Sequence, residues 1–200
     1  MTPSRRRGDA GQAFPIYITV VAGLLFLAFA YLAVGQAAAN RNGAQTAADA
    51  AALAAAQDTR DQLAGEWVEN VLDPTVWQRI FDGDAEGIVD SCWRAYELAE
   101  QNDASVDGCD PDGLLGYTVA VTTNKSVGDS IVPGTEGMRS IASASAVIEP
   151  LCTFEPLGED AEEDELPQLN CEDDSIWTLD PEDLTDLPEP QDLFDVHLAD

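Results

Sequence analysis

FPIYITVVAGLLFLAFAYLAVG, residues 14–35, passes without a break into QAAANRNGAQTAADAAALAAAQ, residues 36–57. From about Ala13 to Val34 there is no charged side chain. Coiled as a helix at about 1.5 Å per residue, such a run crosses the roughly 30 Å hydrocarbon core of a bilayer. Pro15 falls in the first turn, where a missing N–H costs little. Tyr17 and Tyr31 stand near the two ends, where amphipathic rings favour the membrane–water interface. A cleaved secretory signal competes with a membrane span, because Ala37–Ala39 offer small residues to a peptidase. A signal core is usually only about 7–15 residues long, and here the helical pattern continues past the cut. We therefore read a retained anchor.

The second half is expected to continue the helix from Gln36 to Leu63, since alanine is the best helix former and loses no side-chain entropy. On a helical wheel Asn42, Gln45, Thr46 and Asp49 share one face. Ala44, Ala48, Ala51 and Ala55 form a small-residue stripe on another. The stripe is a candidate for close packing against a partner helix; the plainer alternative is a solvated spacer. Gly35 and Gly43 each weaken a helix by about 1 kcal/mol relative to alanine, which suggests a hinge near the membrane surface.

On the N-terminal side, residues 1–12 are polar and carry Arg5, Arg6 and Arg7. Positive charge flanking a span stays cytoplasmic, so the body is expected outside. Lys and Arg total 9 against 38 Asp and Glu, a formal net charge of −29. Nucleic-acid affinity comes largely from cations that displace phosphate counterions, so a body this acidic is read as no nucleic-acid binder. Single-sign charge instead keeps a protein soluble and draws basic partners or cations toward it. All four cysteines (Cys92, Cys109, Cys152 and Cys171) follow the apolar run. An even count outside the cytoplasm suggests two disulfides with three connectivities open, of which nearest-neighbour pairing is the expectation. Metal binding would need CxxC-like spacing and histidine partners, and the only histidine is His197.

Beyond the alanine segment the helical pattern resumes from Gly65 to Ala104, broken at Asp73-Pro74 and around Gly83. Trp67, Val71, Val76, Ile80, Val89, Trp93 and Tyr96 are its candidate core. Asp107–Gly113 (DGCDPDG) is dense in turn formers. Period-two alternation then marks strands at Leu115–Thr123 and Ile141–Ile148, expected to pair antiparallel. The expected fold class is α+β: residues 1–12 a basic leader, 13–35 a transmembrane helix, 36–64 a helical stalk, 65–154 a small disulfide-bearing extracytoplasmic domain. Residues 155–200 hold 18 acids, five prolines and no Lys or Arg, which predicts a mostly disordered acidic tail.

Little of this carries chemistry. A calcium loop over the DGCDPDG turn would need an acid where Gly108 stands and a bidentate glutamate where Val119 stands. The tail can bind divalent cations weakly and diffusely, without a defined site. His197 lies in that tail, so no Ser/His or Cys/His arrangement suggests itself, and there is no phosphate-cradling glycine loop. We expect no enzyme, no cofactor and no metal site.

Taken together, the basic leader, Gly11-Gln12-Ala13-Phe14, the apolar run and the AADAAALAAA core from Ala47 to Ala56 resemble the N-terminal region of TadE/TadG-like proteins of tight-adherence (Flp) pilus assembly. The resemblance covers about residues 5–60. It implies a single-pass envelope protein, a minor pilin-like or assembly component of a type IV-related secretion system, with pilin-like proteins and the bilayer as partners. Pseudopilins of that system are cut after a glycine that has glutamate five residues on. Gly11 is followed at that distance by Ile16, and Gly8 by Ala13, so the resemblance points to the uncleaved, TadG-like branch. Residues alone leave a second function open, a tethered acidic surface module that binds basic proteins, wall polymers or cations.

Overall fold

The structure is a computed structural model that describes residues 13–126, 137–158, 165–172 and 174–199; the basic leader lies outside them. Helix α1 runs from Ala13 to Glu69, 57 residues, or about 85 Å at 1.5 Å per residue. Alanine propensity carries it through Gly35 and Gly43, which stand inside the helix with open space beside them; the expected hinge is not present. Asn70 closes the last turn, its side-chain amide donating to Glu66 O at 2.8 Å. The break at Asp73-Pro74 starts α2 (Pro74–Phe81): Asp73 caps it by accepting from Thr75 N at 3.2 Å, and Pro74 occupies the first turn. Gly83 ends this region at φ +79°, where a Cβ would lie 2.8 Å from the Leu115 side chain, so both conformation and space demand glycine. Helix α3 spans Cys92–Gln101.

Among the described residues seven strands follow: β1 (Ala104–Pro111), β2 (Gly116–Thr123), β3 (Ile141–Pro150), β4 (Cys152–Phe154), β5 (Leu169–Cys171), β6 (Ile176–Trp177) and β7 (Phe194–Leu198). One sheet is antiparallel in the order β1-β2-β3-β7, and a small second sheet is β4-β5-β6. Tyr117 pairs with Ala146, Val119 with Ala144 and Val121 with Ala142. The pleat therefore turns Tyr117, Val119, Val121, Ala146 and Ile148 to one buried face, and the C-terminal half of α1 lies against it. Trp67, Trp77, Phe81, Phe154 and Phe194 continue this core through tilted and edge-on ring contacts with centroids 5.3–6.1 Å apart.

Three further expectations need correcting. The DGCDPDG segment is not mainly a turn: Asp107–Pro111 belong to β1, which absorbs its small and charged residues through a bulge between Val106 and Gly108. The reversal comes later, where Asp112 N donates to Gly116 O at 2.8 Å and Gly113 takes φ +69°. The disordered acidic tail is not seen in the described residues from 165 onward. Leu169, Leu179, Leu193 and Phe194 are buried, and β7 completes the main sheet. Charge averaged over the segment concealed a sparse set of apolar residues whose described acidic neighbours are exposed, apart from the half-buried Asp192. Finally, Val89, Trp93 and Tyr96 are more than half exposed rather than core. Helix α3 turns Ala95 and Ala99 inward, because it meets the alanine face of α1, and sends its large rings outward.

Candidate functional site

The long helix divides into two halves with opposite surroundings. From Phe14 to Val34 its large apolar side chains project all round the axis and none is covered: Phe14 is 74 % exposed, Phe26 72 % and Val34 70 %. The most apolar 18-residue window has a mean hydropathy of 2.3. A helix apolar on every side is stable only inside a protein core or in lipid, and no part of this window is buried within the chain. The N-terminal half is a membrane anchor.

From Ala44 onward the surroundings reverse. Ala44, Ala48, Ala51 and Ala55 are fully buried, together with Ala47, Ala52 and Ala56. Strands β2, β3 and β7 cover the helix on one side and α3 on another. The methyl groups let sheet and helix approach closely from both directions, and the partner they meet is the chain's own body. Asn42, Gln45 and Thr46 are exposed.

The junction between the halves is marked by Asn40. Its side-chain amide donates to Lys125 O at 3.2 Å, and its carbonyl oxygen lies 3.4 Å from Thr123 Oγ1. The end of β2 is thus tied to the point where the helix leaves the body. Higher up, a buried polar group fixes the helix in rotation. Thr59 Oγ1 lies 2.8 Å from Ser91 Oγ and 3.0 Å from the Tyr117 hydroxyl, which also accepts from Ser91 N at 3.2 Å. Ser91 donates in turn to Asp58 Oδ2 at 2.8 Å, and Gln62 bridges Asp58 to Val89. Thr59, Ser91 and Tyr117 are almost wholly shielded from solvent. Buried hydroxyls are tolerated because each has partners, and such partners exist in one register only. Sequence reasoning missed these residues. Their partners lie 32 and 58 positions away, and nothing local marks them.

Two disulfides hold the periphery, Cys92–Cys109 between α3 and β1 and Cys152–Cys171 between β4 and β5. Among the described residues no group of three or more His, Cys, Asp or Glu is placed to hold a metal ion. Asp183 accepts from the Thr185 hydroxyl and amide, which holds its carboxyl below the usual range. One concavity, about 1100 Å³, is an open trough lined by Phe154, Leu166, Gln168, Asn170 and Leu179 among others.

Residues 11–58 match the family model described as putative Flp pilus-assembly TadE/G-like. No curated protein and no solved structure matches the chain. The TadE/G-like stretch takes in the lipid-facing half of α1, the junction at Asn40 and the buried alanines, and it ends at Asp58 in the polar lock. At family level it supports a Tad pilus-related, structural component. The sheets, disulfides and acidic lobe lie beyond the match.

Proposed function

We propose that this chain is a membrane-anchored, minor pilin-like structural component of a Tad/Flp pilus or a related secretion assembly, with residues 1–12 in the cytoplasm and the body outside. The observation that carries the proposal is the division of one unbroken helix between lipid and a folded body, within the stretch that matches the TadE/G-like family. Arg5, Arg6 and Arg7 before the span support the orientation, as do two disulfides, which persist in an oxidising compartment. The alanine stripe is occupied by the chain's own sheet, so contact with pilin-like partner helices falls to the exposed half of α1. There Ala22 and Gly23 interrupt the bulky side chains, and nothing lies within 4 Å of the position a Gly23 Cβ would take. Small residues let helices approach closely in a membrane.

The test is copurification of the tagged full chain with pilus-assembly proteins from native membranes. Gly23→Leu is expected to reduce the recovered partners while leaving the amount and fold of the chain unchanged. Recovery of the same partners at the same yield from Gly23→Leu and from a chain whose span is replaced by polyleucine would refute contact through this half.

A further inference from the structure

The geometry points to a second membrane contact, in which the rim of the body around the exit of α1 rests on the phosphate headgroups of the bilayer. This rests on the anchor reading and adds to it a lipid-binding surface on the folded body. The rim is assembled by hydrogen bonds around Asn40. Asn40 holds Lys125 O and approaches Thr123; Thr123 N donates to Ser140 O at 2.9 Å, and Ser140 N donates to Thr123 Oγ1 at 3.1 Å. Arg41, Lys125 and Arg139 are therefore carried at one end of the body, flanking these bonded residues, and all three are exposed. The chain has six cationic residues after its leader, and three of them are here. Met138 and Ile141, on either side of Arg139-Ser140, are 57 % and 73 % exposed. Exposed apolar side chains interleaved with Lys and Arg are the composition of an interfacial membrane surface.

Among the described residues, two carboxylates close in the fold to this rim have partners. Lys125 pairs with Asp103 at 2.7 Å, both well exposed, and Asp107 accepts from Thr122 at 2.6 Å. An exposed pair such as Lys125–Asp103 contributes little to stability, so Lys125 can exchange its partner for a phosphate. The opposite end of the body has the opposite character. Strands β4, β5 and β6 follow the far end of β3, and the described residues from 155 onward include 11 acids and no Lys or Arg. An anionic surface would attract the rim and repel the far end, so both effects set the same orientation.

Distance along the helix decides whether the rim can reach. Asn40 stands six positions after Val34, about 9 Å of helix. The headgroup layer on each side of the hydrocarbon is about 5–7 Å thick. With Val34 at the hydrocarbon edge, Asn40 stands at the outer surface of the headgroups, within reach of long cationic side chains.

The full chain is reconstituted in nanodiscs of phosphatidylcholine and phosphatidylglycerol, with lipids brominated either near the headgroup end of the acyl chain or near its tip. Tryptophan quenching is read for Leu25→Trp, Met138→Trp and Ile141→Trp after subtraction of the native tryptophans. Leu25→Trp should be quenched by the deep bromines. Met138→Trp and Ile141→Trp should lose added fluorescence to the shallow bromines and not to the deep ones, as for an interfacially seated side chain. Exchange of Arg41, Lys125 and Arg139 for Glu should abolish that shallow quenching, with far-UV circular dichroism showing the body intact; the three Gln variants serve if the Glu variants misfold. Quenching of Leu25→Trp without quenching at positions 138 and 141 would overturn the rim contact and leave the anchor standing. No quenching of Leu25→Trp would overturn the anchor itself. Shallow quenching that survives the charge reversals would overturn the role given to the cations.

Discussion

Ala51→Leu separates two roles for the alanine stripe. Ala51 is fully buried, with β2 and β3 packed along one side of α1 and α3 along another. Three added carbon atoms have no space to enter without moving the sheet or α3. Overpacking of a filled core costs about 1–3 kcal/mol. For a body of this size each kcal/mol lowers the melting temperature by about 2–4 °C, so a fall of roughly 2–12 °C is expected. The measurement is thermal and urea unfolding of the full chain in detergent, disulfides intact, followed by the circular dichroism of the body. Ala37→Leu is the control: Ala37 lies on the same helix but is exposed, and a surface change of this kind stays within about 0.5 kcal/mol. If Ala51→Leu melted like the wild type while losing its pilus partners, the stripe would be an intermolecular surface. The packing of α1 on its own sheet would then be wrong.

Tyr117→Phe removes the hydroxyl that accepts from Ser91 N and bonds Thr59; a buried amide left without its partner costs about 1–3 kcal/mol, seen as a lower urea midpoint with an unchanged slope. Replacement of Cys152 and Cys171 by serine opens a loop of sequence separation 19 and should cost about 3 kcal/mol by the chain-entropy estimate. Dithiothreitol should then change the unfolding of that variant less than it changes the wild type. Phe194→Ala empties a buried ring site beside Phe81 and should cost about 3–5 kcal/mol; hydrogen exchange at Val196 and Leu198 should be protected in the wild type, and fast exchange there would restore the disordered tail.

The stretch from Ala13 to Glu69 was largely legible because its signals are local. An uncharged apolar run, alanine propensity and i, i+4 spacing each act within a few turns, and together they specify the anchor and its continuation. The strands at β2 and β3 were legible for the same reason, since alternation such as Tyr117-Thr118-Val119 states which face is buried. The acidic segment was misread because composition is an average. Leu193 and Phe194 fold against α1 and Phe81 in the presence of many acids, since a few well-placed apolar residues are enough to seat a strand on an existing sheet edge. The polar lock was illegible in principle: Thr59, Ser91 and Tyr117 are unremarkable where they stand, and only the fold brings them within 3 Å.

The alanines also explain why one helix can serve two solvents. In lipid a helix needs apolar side chains on every side; against a sheet and a second helix it needs a narrow cylinder that backbones can approach. The sequence changes from Leu, Phe and Val to Ala between Val34 and Ala44 without admitting a proline or breaking a hydrogen-bonded turn. Rotation about the axis is therefore transmitted across the junction, and the lock at Thr59 fixes which side of the span lies below which edge of the sheet. A glycine pair replacing Gln36 and Ala37 would keep the anchor, the core and the lock while loosening only that transmission. If assembly depends on the body being presented at a set angle to partner helices in the membrane, this variant should fold and insert normally yet recover fewer partners. Full recovery would show that the helix acts only as a tether.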